Sequence, residues 1–181
     1  MELLSAQHIV VLLLVTVAAA VDVAEKRIPN WLTYTGAALG FGLGVALGGW
    51  EGLADAGLGF LVGFLPLLLM YAGGGLGAGD VKLMGAVGSL LGMTATINAL
   101  LACFIAGGLF AGIILLWQGR LFALLKYLVS RMWSLVNARH IPEPLPEYKD
   151  SFPFGVAIAA GVYITLAAVV TGAGTPGQLL G

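Results

Sequence analysis

Long apolar runs broken by short polar insertions dominate the chain. Five such runs stand out, over residues 6–23, 31–50, 52–71, 81–117 and 152–171. About 20 mostly apolar residues are needed for a helix to cross the roughly 30 Å hydrocarbon layer of a bilayer. Four of the runs suit a single crossing. The fourth in order would be about 55 Å long as one helix, so it must fold back. The polar patch Thr94, Thr96 and Asn98 marks the expected turn. The pattern therefore predicts an all-α polytopic membrane protein. It forms one domain over residues 1–181, with six transmembrane helices near 6–23, 31–50, 52–71, 81–97, 99–117 and 152–171. Residues 118–151 form a loop on one side of the membrane.

Within that loop, Gly119 to His140 interleaves Leu121, Phe122, Leu124, Leu125, Leu128, Val129, Met132, Trp133 and Val136 with Arg120, Lys126, Arg131 and Arg139. This predicts an amphipathic helix on the membrane surface, its basic residues toward lipid phosphates. Pro142, Pro144 and Pro146 end it, because proline cannot continue a helix. Along the second run Gly36, Gly40, Gly44 and Gly48 recur every four residues. The pairs Gly59/Gly63, Gly88/Gly92 and Gly108/Gly112 repeat the spacing. Residues four apart share a helix face, so these glycines predict close helix–helix approach.

Composition agrees with this picture. The chain is 60% apolar and 9% charged, against about 25% charged in an ordinary soluble domain. The single cysteine, Cys103, excludes an intrachain disulfide and a cysteine-based zinc cluster. The first run lacks the basic flank of a signal peptide and is expected to remain as a helix. Placement of the charges is more informative than their sum. With six crossings, all eight Lys and Arg residues fall on one face: Lys26, Arg27, Lys82, Arg120, Lys126, Arg131, Arg139 and Lys149. The opposite face carries only Glu2, Glu51 and Asp55. The positive-inside rule then sets the loops holding the basic residues in the cytoplasm and both termini outside. The expected location is the cytoplasmic (inner) membrane, with lipid as the first partner. A net charge of -1 gives no sign of a nucleic-acid partner, and none is expected.

Two segments carry chemistry beyond packing. Asp22 closes the first run and is followed by Ile28-Pro29-Asn30-Trp31-Leu32-Thr33. Asp80 opens the fourth, after the glycine-rich Gly73-Gly74-Gly75-Leu76-Gly77-Ala78-Gly79. Both aspartates fall at the cytoplasmic edge. An ionisable residue there is costly and points to function, although an interfacial carboxylate or a helix-capping aspartate explains either one alone. Glycines of this density let another backbone approach closely. Two neighbouring carboxyls can share one proton. The ionised one can take a proton from water while the protonated one polarises a carbonyl. No other catalytic set is visible: His8 and His140 are expected on opposite faces, Cys103 is mid-span, and Ser89 has no histidine near it. No metal and no cofactor are expected.

At these residues the sequence resembles the prepilin peptidases, or type IV leader peptidases, among the GxGD membrane aspartic proteases. The resemblance rests on Asp22 six residues before Ile28-Pro29-Asn30, and on Gly77-Ala78-Gly79-Asp80-Val81-Lys82-Leu83. Pro153-Phe154-Gly155 resembles a third family motif, with Val156 where the family often has proline. The resemblance implies that Asp22 and Asp80 are the catalytic pair. It implies a loop-shaping or substrate-shaping role for Pro29, Asn30, Gly77, Gly79, Lys82, Pro153 and Gly155. It also implies an endopeptidase that removes the basic leader of prepilins, pseudopilins or preflagellins on the cytoplasmic side. The chain has no room for the paired-cysteine region of larger, methylating members, and so resembles the short peptidase-only form. Glu143, Glu147 and Asp150 are candidates for holding a basic leader. A non-enzymatic membrane subunit, or a small transporter with the two carboxylates as a proton or cation path, is the alternative.

Overall fold

A computed structural model describes residues 6–117 and 154–171, together with positions 119, 122, 126, 129, 130 and 133. Loop residues Glu143, Glu147 and Asp150, most of the expected surface helix, and Pro153 lie outside the described residues. Among the described residues four helices have defined bounds: α1 (Ala6–Glu25), α2 (Asn30–Ala72), α3 (Ala78–Trp117) and α4 (Phe154–Thr171). Among the described residues there is no strand. All four helices are long and apolar enough to cross a membrane. The chain divides into two compact units, Met1–Gly107 with Pro153–Gly181, and Gly108–Phe152. In the second, Phe122, Lys126, Val129, Ser130 and Trp133 are helical and exposed.

Both long helices are interrupted by one glycine. Gly49 has φ 58°, ψ -133° and lies inside α2. Gly92 has φ 76°, ψ 177° and lies inside α3. Such backbone angles are essentially confined to glycine. At each the helix doubles back on itself. Gly44 and Gly52 lie backbone to backbone across the first turn. Across the second, Thr96 Oγ1 is 3.5 Å from the Gly88 carbonyl. The expected turn at Thr94–Asn98 is therefore corrected to Gly92. Thr96 is buried within the following helical segment, and its hydroxyl donates to the Gly92 carbonyl four residues back. Turning its polar group onto its own helix lets threonine stay helical in an apolar setting.

Lipid offers apolar side chains as good a home as other helices do, so burial of apolar area does not drive these helices together. Close packing of small residues does. The glycine stripe supplies it. A side chain at Gly36 would press on Leu14 and Ala86, at Gly40 on Ser89, at Gly59 on the Gly88 and Gly92 backbones, and at Gly63 on Met84. Gly48, Gly108 and Gly112 meet nothing within 4 Å among the described residues, so there the spacing does not mark a contact. Side chains such as Leu13, Leu47, Leu69 and Ile105 point outward, as lipid-facing positions should. The core is built from Val11, Leu14, Val15 and Ala18 of α1, Leu83, Met84, Val87 and Leu90 of α3, and Ile158 and Val162 of α4.

Candidate active site

The buried stripe of α1 runs Val11, Leu14, Val15, Ala18 and then Asp22. These positions recur at three- and four-residue steps, so the helix turns the aspartate into the bundle as it turned the valines. Asp22 keeps only 6% of its surface exposed. The first backbone amides of a helix have no partner within it. Gly155, second residue of α4, donates one of them to Asp22 Oδ2 at 2.9 Å. A Cβ at Gly155 would stand 2.8 Å from that oxygen, so only glycine leaves the carboxylate this close to the helix end. The carboxyl group is thus held at the positive end of α4.

Asp80 uses the same device with different parts. It is the third residue of α3 and is 8% exposed. Its Oδ2 accepts the Gly77 amide at 3.1 Å, while its own amide donates to the Gly77 carbonyl at 3.2 Å. The carboxylate reaching back to the cap residue is half of a capping box. The cap is therefore Gly77, and α3 starts at Ala78, three residues before the expected position. Among the described residues, Oδ1 of neither aspartate carries a hydrogen bond.

The two carboxylates look into one cavity of about 640 Å³ lined by Asp22, Glu25, Lys26, Arg27, Ile28, Pro29, Asn30, Gly77, Ala78, Gly79, Asp80 and Lys82. The volume falls in the range that holds small ligands or a short stretch of chain. Of the residues singled out in the sequence, Pro29, Asn30, Gly77, Gly79 and Lys82 join the pair at this cavity. Gly155 touches Asp22 from behind. Residues 9–112 match the type IV leader peptidase family, more than half of the chain. The chain belongs to that family. No curated protein and no solved structure matches it.

The family is one of proteases, and the matched stretch contains both aspartates. At and beside the cavity the structure gives places to residues for which the sequence suggested no site role, among them Ile28, Tyr34 and Glu25. Ile28 is buried and seats against Gly79, where a Cβ would lie 3.1 Å from its own. Tyr34 lies under the Lys82 ammonium, 5.3 Å from its ring centre. Glu25 shares the rim three residues beyond Asp22. For Tyr34 a signal existed: it follows Asn30 by four residues and so shares its helix face.

Proposed function

We propose that this protein is a membrane aspartic endopeptidase that removes the leader of prepilin-like proteins, with Asp22 and Asp80 as the catalytic pair. The observation that carries the proposal is the meeting of these two carboxylates at one cavity, each anchored through Oδ2 by a single glycine amide. That leaves Oδ1 of each for a water and a scissile carbonyl. In this mechanism the ionised carboxylate takes a proton from the water as the water oxygen attacks the carbonyl carbon. The protonated partner donates to the carbonyl oxygen. The proton then passes to the leaving amine as the C–N bond breaks.

In this proposal the chain crosses the membrane six times, because the fold-backs at Gly49 and Gly92 divide α2 and α3. Lys26, Arg27 and Lys82 line the same cavity as the aspartates. By the positive-inside rule that end faces the cytoplasm, where the leader of a membrane-inserted precursor is cut. The transporter alternative draws no support from membership of a protease family. The test is cleavage of a prepilin by the full chain in liposomes, with Asp22→Asn and Asp80→Asn beside it. Cleavage by the parent and loss in both variants is expected. A variant that is folded and cuts at the parent rate would overturn the assignment of the pair.

A further inference from the structure

Lys82 lines the cavity two residues beyond Asp80. Two residues along a helix are about 200° of rotation, so the Lys82 side chain leaves α3 on nearly the opposite side from Asp80. Its Nζ donates to Asn30 Oδ1 at 2.9 Å and stands over the Tyr34 ring at 5.3 Å. Among the described residues it makes no ion pair. A cation over an aromatic face is attracted by the ring quadrupole, and the charged donor strengthens the bond to the amide. One ammonium therefore grips the first turn of α2 at two points four residues apart.

Asn30 is free for this because it does not cap its own helix. Pro29 holds the cap position with no side-chain hydrogen bond. Next to this grip, Ile28 lies against Gly79, its carbonyl 3.5 Å from where a Cβ would be. The connector from α1 to α2 is thus fastened twice to the first turns of the helix that bears Asp80. The same connector begins at the end of the helix that bears Asp22, where Lys26 turns the chain at φ 51° and donates its amide to the Asp22 carbonyl at 2.8 Å.

We propose that Lys82 is a positioning residue, clamping Asn30 and Tyr34 so that the Asp22-bearing end of α1 stays in register with Asp80. This rests on Asp22 and Asp80 being the catalytic pair. A misplacement of about 1 Å costs on the order of 100-fold in rate, so loosening the clamp lowers kcat about 10- to 100-fold and leaves KM within about twofold.

Two measurements on the full chain in liposomes test it. In the first, spin labels at Glu25→Cys and Ala78→Cys, on a Cys103→Ala background, report the distance across the cavity. The distribution is expected to be narrow in the parent and in Lys82→Arg, whose guanidinium can still donate to Asn30 and stack on Tyr34. It broadens in Lys82→Met and in Asn30→Ala. In the second, prepilin cleavage by the unlabelled variants is followed. Lys82→Met and Asn30→Ala lose kcat, their combination loses no more than either alone, and Lys82→Arg recovers most of the rate. An unchanged distribution in Lys82→Met overturns the clamp whatever the kinetics. An unchanged kcat alongside a broadened distribution overturns its catalytic consequence. A parent that cuts no prepilin overturns the peptidase reading instead, and the label distances alone then decide whether the clamp exists.

Discussion

Each of the two carboxylates sits tight against a glycine: a Cβ would come within 2.8 Å of Asp22 Oδ2 at Gly155 and within 3.1 Å of Asp80 Oδ2 at Gly77. Gly155→Ala tests this at Asp22. The added methyl would sit 2.8 Å from Oδ2 and 3.2 Å from the Asp22 Cβ, so the carboxylate must turn away from the α4 amide or α4 must shift. The expected outcome is a fall in cleavage rate of about 10-fold or more, with the helical circular dichroism of the parent retained. For the pair itself, Asp22→Asn and Asp80→Asn should each cost roughly 10² to 10⁴-fold. The double variant should lose little more, because the two act as one unit. Steady-state cleavage of a reconstituted prepilin checks both. The sequence singled out both aspartates, each beside a motif, and the structure places both at one cavity. The amide from Gly155 was not legible in the sequence, because it reaches Asp22 from 133 residues away and only the fold brings them together. The partner of Lys82 was hidden for the same reason, 52 positions back along the chain.

The two long helices illustrate what an apolar pattern can and cannot say about an element. That the 81–117 run folds back follows from its length, while the division of α2 follows from the polar interruption at Glu51. Where each folds back is decided by one residue's backbone freedom. At Glu51 the expected break lay two residues from Gly49, because a charge and a glycine coincide there. In α3 the polar patch misled, since threonines can satisfy themselves within a helix, while the residue that turns the chain was one more glycine in a glycine-rich stretch. The structure shows what singles Gly92 out. Asp55 Oδ1 accepts the Met93 amide at 3.0 Å, capping the helical segment that restarts after the turn. A side chain at Gly92 would collide with that carboxylate. Asp55→Ala should then destabilise the protein by about 1 kcal/mol, the usual worth of a lost cap. Gly92→Ala should cost more, about 1–3 kcal/mol from backbone strain, plus the displaced Asp55. Thermal unfolding in detergent, followed by helical signal, checks the order. If Gly92→Ala were as stable as the parent, the turn would not depend on the positive φ.

At the scale of the whole molecule, the balance of charges and the position of the cavity make one argument. The 30–48 segment of α2 starts at the cavity with Asn30 and would rise about 28 Å before Gly49, close to the thickness of a hydrocarbon layer. Glu51 therefore belongs at the far end from Lys26, Arg27 and Lys82, which line the cavity. The eight basic residues of the sequence follow the same division if the chain crosses six times. An odd number of crossings would scatter them over both faces, against the positive-inside rule. The charge pattern is integrated over the chain, so the topology it proposes does not depend on where any one turn falls. It is silent about how the helices pack, which the small-residue contacts decide. The topology can be tested with single cysteines, on a Cys103→Ala background, at Glu51 and at Lys149. In intact cells a membrane-impermeant thiol reagent should label Glu51→Cys. It should reach Lys149→Cys only after the membrane is opened. Labelling of both from the same side would mean that the fold-backs at Gly49 and Gly92 do not separate crossings. The cavity would then lose its claim to the cytoplasmic face, and with it the proposed side of cleavage.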